Sequence, residues 1–380
     1  MAQKKGRGHT PSPLTVAMLF AKAAGRCQFD GCNKSVISDE LTLKEYNKSN
    51  VVHIVASSPK GPRGSAIRSH QLSDELSNLM LMCPEHHKEV DDFPDDFPEE
   101  MLLEMKRKHE EAIAAQCNLV YKEKSEVIMV RSPIKNRIPA KISFKACADA
   151  VMPRKCVANT YGRRIDIELV DDYHSPHYWE SVSRLLEQKY HQHIIPILDE
   201  CPNAHFSVFP IAPMPLIMKL GYKIGDKTGA DIFQFSRAND SWKWITEEKT
   251  NDFNVQKQIV REGRKIALVF SLTADISSAR ICEVYDADIL YFIRADRFGV
   301  DCIQSPADLA EFWSQYQAVC DDIKNTYPYI QEIGVFPAMP VSAAFEVGRR
   351  YMPGVFPALR IYDDDDGFFE TITIGGKEDE

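Results

Sequence analysis

Two pairs of metal-seeking side chains constrain this chain more than any other feature: Cys27 and Cys32, separated by four residues, and Cys83 and His86, separated by two. Three sulfurs and an imidazole supplied in two such pairs close a tetrahedral Zn²⁺ site. A closed site leaves no position for substrate, so it holds a small domain together. The other seven cysteines, Cys117, Cys147, Cys156, Cys201, Cys282, Cys302 and Cys320, stand singly in apolar or mixed sequence and read as packed or inert thiols. Ten cysteines in a chain without an export signal do not read as a disulfide framework.

The 380 residues amount to 43.2 kDa, which implies two or more domains. A composition of 44% hydrophobic and 27% charged residues belongs to ordinary globular chains. No stretch approaches the roughly 18 apolar residues of a membrane helix. The start, MAQKKGRGHTPSP, is basic and lacks the apolar core of a secretion signal. A cytoplasmic location without membrane contact is the expectation. The net charge of −9 argues against constitutive nucleic-acid binding, so any DNA contact must come from a local patch, a metal or an assembly.

The apolar spacing from Leu14 to Gly25 predicts a helix closed by its glycine. NVVHIVAS and SNLMLM read as short strands, and the latter runs into a turn and a helix start. PEEMLLEMKRKHEEAIAAQ places Leu102, Met105, His109 and Ile113 on one helical face. These elements form a first domain, α+β in character, over residues 1–120. Residues 121–145 are strand-like and basic and read as a linker that packs. From 146 to 380, strand-like and helical runs alternate, which implies an α/β layer. Within it VFPIAPMPLIMKLG (208–221) and VFPAMPVSAAFEVG (335–348) align without a gap at an offset of 127, sharing Pro213/Pro340 and Gly221/Gly348. This reads as a duplicated α/β unit whose copies face each other about a pseudo-dyad; two unrelated strand-turn-helix units are the alternative.

Beside the zinc ligands stand His53, at the end of an apolar strand, Asn78, in the return strand, and His87, next to His86 and about 100° around the helix from it. The order Cys-x4-Cys, VHI, GPRG, SNLMLMCPEHH resembles the HNH endonucleases over about residues 20–95. That resemblance implies a ββα-metal fold that cleaves phosphodiesters. It makes His53 the base that deprotonates water, a role suited to imidazole, which titrates near working pH. It makes His87 a ligand of a catalytic Mg²⁺, and has Asn78 either orient His53 or join the metal shell. Val52 stands where many family members carry an acid or a second histidine, so a second protein ligand is not identified. Arg63, in the GPRG loop, either forks onto a phosphate of the DNA or is an exposed loop arginine. Asp91, Asp92, Asp95 and Asp96 read as a solvated helix approach.

In the second half, KIALVFSLTADIS puts Ser271 and Thr273 at the end of a buried strand, where a phosphate-bearing ligand would sit. SWKW offers Trp242 and Trp244 as flat faces for bases and Lys243 as a cation; half-buried hydrophobic cover is the equal alternative for the tryptophans. With Pro213, Pro340 and the FPAMPVSAAFEVGR string, this half resembles a SAVED domain, itself similar to two fused CARF units. The resemblance implies a sensor of cyclic oligonucleotides, here expected to be a cyclic dinucleotide. An HNH domain fused to SAVED resembles the DNA-degrading effectors of CBASS anti-phage signalling.

The resulting expectation is a latent nuclease, a dimer that forms a higher oligomer when a cyclic dinucleotide binds and then cuts double-stranded DNA with little sequence preference. One rival is a restriction or repair endonuclease whose second half reads DNA directly, and which therefore needs a basic face there. Another is a zinc-stabilised module without catalysis.

Overall fold

The computed structural model describes residues 8–39, 41–119, 122–152 and 154–376. The chain divides between Tyr121 and Lys122 into two compact units.

The first unit runs α1 (Pro13–Ala23), β1 (Asn50–His53), α2 (Arg68–Gln71), β2 (Leu79–Met82), α3 (Pro84–Asp92) and α4 (Glu99–Leu119). Of the basic start, residues 1–7 lie outside the described residues; Gly8 donates its N–H to the Ser57 carbonyl. Ser12 caps α1 through its hydroxyl, Pro13 sets the first turn, and Ala24 and Gly25 both take positive φ at the end, so the stop falls one residue before the expected glycine. β1 and β2 pair antiparallel, with His53 opposite Leu79 and Asn50 opposite Met82. The core beneath them gathers Leu19, Val52, Ile54, Leu79, Leu81, Val90 and Leu102. On α4 the expected face is present: Leu102 is buried, Met105 packs against the same core, and Glu104, Arg107 and Glu111 form an exposed charge ladder. Asn78 is not in the return strand. It sits in a 3₁₀ turn, Leu76–Asn78, immediately before β2.

The second unit opens with β3 (Lys124–Arg131), α5 (Phe144–Val151), β4 (Cys156–Val157), β5 (Arg163–Asp166), α6 (Pro176–His193), α7 (Ile195–Glu200), β6 (His205–Ile211), α8 (Met214–Ile224) and β7 (Gly229–Ile232). It continues with β8 (Phe253–Ile259), β9 (Ile266–Ser271), α9 (Ser278–Cys282), β10 (Ile289–Ala295), α10 (Pro306–Thr326), β11 (Glu332–Ala338), α11 (Val341–Arg349), β12 (Ala358–Asp364) and β13 (Phe368–Ile374). The stretch expected as a linker instead supplies β3, which pairs in parallel with β4, β5 and β6. The physical reason is that Val127, Ile128, Met129 and Val130 are all buried, so this strand is covered on both faces.

Strand order shows the duplication directly. One sheet reads β5-β3-β6-β7, all parallel, with the short β4 also beside β3; the other reads β10-β9-β11-β12, all parallel, bordered by antiparallel β8 and β13. Register repeats as well. Val208 pairs with Ile232 as Val335 pairs with Ile361, and Ser132 N–H donates to Ile211 O as Leu272 N–H donates to Ala338 O. Phe209 stacks on Phe233 at 4.5 Å and 11°, and Phe336 stacks on Tyr362 at 4.6 Å and 12°.

The helices α8 and α11 meet through the repeated glycines. A Cβ on Gly221 would stand 2.2 Å from Phe345 O, and one on Gly348 would stand 1.8 Å from Met218 O. Phe345 and Met218 are themselves related by the offset of 127, so the two contacts are reciprocal, as a two-fold axis between the helices demands. Only glycine permits this backbone approach.

Candidate functional site

In the first unit, Sγ of Cys27 lies 3.7 Å and Sγ of Cys83 3.2 Å from Nδ1 of His86, and the ligand atoms of Cys27, Cys32, Cys83 and His86 all lie within 4.8 Å of one another. Ligands at zinc bond lengths around a tetrahedral ion stand about 3.5 Å apart, so the donor set and its spacing fit Zn²⁺. Burial pushes the Cys27 and Cys83 thiols up, Cys83 to about 12. A dication among the sulfurs would reverse that shift and hold them as thiolates. Local structure holds the ligands in place. Phe29 stacks on the His86 ring at 4.1 Å, and buried Gln28 clasps Leu81 of β2, its N–H donating to the Leu81 carbonyl and its Oε1 accepting the Leu81 N–H at 2.8 Å.

His53 ends β1, half-buried, with Nε2 3.0 Å from the Ser73 carbonyl. A carbonyl only accepts, so Nε2 carries the proton and Nδ1 keeps its lone pair. Asn78 is buried, and its amide is spent on backbone: Oδ1 accepts from Val55 N–H at 2.8 Å, and Nδ2 donates to Val55 O at 2.9 Å and Leu72 O at 3.1 Å. Its amide makes no hydrogen bond to His53 among the described residues and is taken up by backbone, so it does not orient the ring directly. Instead it fixes the chain two residues after His53 and one residue before Ser73, and so sets the imidazole through the backbone.

His87 stands on the first turn of α3, where its Nε2 lies 3.2 Å from Asp91 Oδ2. Asp91, read from sequence as part of a solvated approach, thus pairs with His87; the signal was the spacing of four, one helical turn. Arg63 is not a phosphate fork. Its Nε donates to Ile54 O at 2.7 Å and its Nη1 to Val90 O at 3.0 Å, and its side chain is 8% exposed, so it ties the loop to α3. Burial pushes its pKa down, and Asp91 opposes that shift.

In the second unit a cleft of about 500 Å³ opens at the carboxyl ends of β6, β9 and β11, where α8 and α11 begin. Both halves of the repeat line it: Ala212, Gln234, Phe235 and Arg237 from the first, and Thr273, Asp301, Met339 and Pro340 from the second. Pro213 and Pro340 cap the two helices without a side-chain bond. Gln234 crosses between the halves, its Nε2 donating to Ile303 O and its Oε1 accepting from Ser342 Oγ, both at 2.6 Å. Arg237 is exposed and makes no ion pair among the described residues.

Of the ligand-binding residues expected from sequence, Thr273 and Pro340 line this cleft. Ser271 is buried, and its Oγ accepts the Ile276 N–H. Trp242 is a core residue, edge-on to Phe209 and Phe235 at 5.3 Å. Lys243 is exposed on the same loop, and Trp244 borders a separate hollow of about 180 Å³ with Arg154 and Trp313. Trp242 is thus hydrophobic cover, the alternative reading. Sequence reasoning missed Gln234 and Arg237, because their place follows from strand register and no local motif marks them.

Residues 186–374 match the model of the SAVED family, the "SMODS-associated and fused to various effectors sensor domain". No curated protein matches the chain. Among solved structures, the chain is similar to the Acinetobacter baumannii Cap4 SAVED/CARF-domain containing receptor with the cyclic trinucleotide 2′3′3′-cAAA, at 12% identity and a TM-score of 0.43, covering 76% of this chain and 61% of that one. The Moraxella osloensis Cap4 receptor matches at 10% identity and a TM-score of 0.40, covering 76% of this chain and 60% of that one. The chain thus spans about three fifths of these receptors. No helix among the described residues is long and apolar enough to cross a membrane. Residues 186–374 are a SAVED sensor domain.

Proposed function

We propose that the chain is a metal-dependent HNH endonuclease, gated by a cyclic dinucleotide, that degrades double-stranded DNA with little sequence preference as a CBASS antiviral effector. The observation that carries the nuclease half is His53, at the end of a strand and partly open to solvent, with Nε2 committed to the Ser73 carbonyl and Nδ1 free to accept a proton. A purely structural zinc module has no need of this arrangement.

His53 Nδ1 takes a proton from the attacking water, and the Ser73 carbonyl stabilises the imidazolium that forms. Asn78 holds that geometry. His87 and Asp91 would hold Mg²⁺, which when bound supplies positive charge against the crowded phosphorane and the leaving 3′ oxygen. The Cys27, Cys32, Cys83 and His86 site would hold structural Zn²⁺.

The gating half is supported by the SAVED match and by a cleft framed by both repeats. Arg237 offers the ligand a cation that makes no ion pair among the described residues. The ligand shifts a dimer toward a higher oligomer only insofar as it binds that assembly better, and pairing two nuclease units across one duplex raises the effective concentration of the second.

Plasmid digestion with Mg²⁺ and a panel of cyclic dinucleotides tests the reading. Cutting with one of them is expected, and His53→Ala should abolish it while leaving nucleotide affinity unchanged. An equal cutting rate with and without every nucleotide overturns the sensing role; retained cleavage in the variant overturns His53 as base.

A further inference from the structure

Arg63 is costly where it stands. Its backbone takes a φ of 54°, a left-handed conformation uncommon outside glycine, and its side chain is only 8% exposed, so a guanidinium is held largely out of water. Outliers of this kind persist where the surrounding structure over-determines them, and they gather at functional sites. We propose that Arg63 is a positioning residue whose guanidinium ties the strand end carrying His53 to the helix carrying His87 and Asp91, and so sets the base against the pair that would hold the metal. The proposal rests on the nuclease reading for what that geometry serves.

One planar group spans both elements. Nε donates to the carbonyl of Ile54, the residue after His53, at 2.7 Å. Nη1 donates to the carbonyl of Val90, the residue before Asp91, at 3.0 Å and to that of Phe97 at 3.3 Å. Nη2 is buried without a hydrogen-bond partner among the described residues and lies 3.7 Å from Asp91 Oδ1, while Asp91 Oδ2 lies 3.2 Å from His87 Nε2. The Asp91 carboxylate therefore faces Arg63 with one oxygen and His87 with the other. Because the guanidinium is rigid, the carbonyls of residues 54 and 90 cannot drift apart without breaking a bond to it.

The same strand end is held from its other side by Asn78, whose backbone carbonyl accepts the Ile54 N–H at 2.9 Å and whose amide takes both backbone groups of Val55. Ile54 is thus fixed at its N–H by Asn78 and at its carbonyl by Arg63. Arg63 is itself held in a tight loop: Ala56 N–H donates to Pro62 O at 3.2 Å, Gly64 N–H donates to Gly61 O at 2.9 Å, and a Cβ on Gly64 would stand 2.6 Å from Ser58 O. A clamp for the loop alone needs only the bond to Ile54, and a clamp for the helix alone needs only those to Val90 and Phe97. Arg63 makes both, with its remaining nitrogen turned to Asp91. Nε and Nη1 are spent on carbonyls and Nη2 is buried, which leaves no fork for a phosphate.

The test compares the full chain with Arg63→Gly, which keeps the positive φ and removes the guanidinium, and with Arg63→Lys, whose single ammonium cannot reproduce the fork. In plasmid digestion with the activating nucleotide, kcat should fall roughly 10²-fold in both, the cost of a misplacement of about 1 Å, while KM for DNA stays within about twofold. Added guanidinium ion should restore cleavage to Arg63→Gly, and urea or sodium chloride at the same concentration should not. In ¹⁵N-histidine spectra taken without Mg²⁺ or DNA, the His53 ring, assigned by its loss in His53→Ala, should show the Nε2–H tautomer in wild type and a mixture in both variants. Wild-type kcat in Arg63→Lys overturns the proposal, as does a raised KM at unchanged kcat, which makes Arg63 a phosphate contact. Should Arg63→Gly not fold, Arg63→Lys carries the comparison. Failure of the wild-type chain to cut any DNA overturns the nuclease reading, and the spectra then decide alone: an unchanged His53 ring in Arg63→Lys overturns the positioning role, and a mixed tautomer leaves it standing.

Discussion

A histidine works as a base only when one of its nitrogens is fixed and the other is free, and at position 53 a backbone carbonyl does the fixing. The residue behind that arrangement is Asn78, whose three hydrogen bonds join Val55 and Leu72 on either side of the His53–Ser73 contact. Asn78→Ala leaves buried groups of Val55 and Leu72 unpaired at about 1–3 kcal/mol. It should lower both the melting temperature of the first unit and the cleavage rate. Equal stability and rate in the variant would show that the backbone holds the imidazole unaided. In the second unit, His205 is buried with Nδ1 2.9 Å from Ser125 Oγ. Burial pushes its pKa down; Lys155 and Arg349 push the same way, and Asp231 and Glu123 oppose them. The folded chain therefore binds fewer protons there than the unfolded chain does, so stability falls as pH drops below about 6.5 toward the depressed pKa. His193 adds the same sign. His205→Asn should make that slope shallower by up to about 1.4 kcal/mol per pH unit; urea melts across pH 5 to 7 decide it, and an unchanged slope rejects it.

Elements here are held by what joins them more than by their own propensity. The pairing of β1 with β2 is only four residues long, too little to persist alone, and the cysteine ligands clamp its flanks. Chelating zinc from the full chain should open residues 8–119 to protease while residues 122–376 stay protected; simultaneous digestion of both would count against a zinc-dependent first unit. The pairing of α8 with α11 depends on Gly221 and Gly348. Gly348→Ala drives a methyl into the Met218 carbonyl, and overpacking of this kind costs about 1–3 kcal/mol. Since the two helices frame the cleft, the variant should lose both thermal stability and nucleotide binding. Calorimetry of the variant checks both, and a native melting temperature would show that the helices part at no cost.

At the scale of the whole molecule, a net charge of −9 argues against constitutive duplex binding, so DNA contact must come from a local patch, a metal or an assembly. Residues 121–145, expected as a strand-like, basic linker that packs, contain the buried run Val127–Val130, and that run makes part of them the strand on which one sheet is built. The Cys27, Cys32, Cys83 and His86 cluster, the duplication and the histidine at the end of β1 were legible before folding, since these depend on local spacing, on side-chain chemistry or on a repeat visible as text. Packing of the folded chain was needed to show that Asn78 acts through the backbone, that Arg63 and Trp242 are structural, and that Gln234 and Arg237 reach the cleft. Those outcomes follow from strand register and from which face of a loop finds a partner, and contacts between residues far apart in the chain leave no mark on the local pattern.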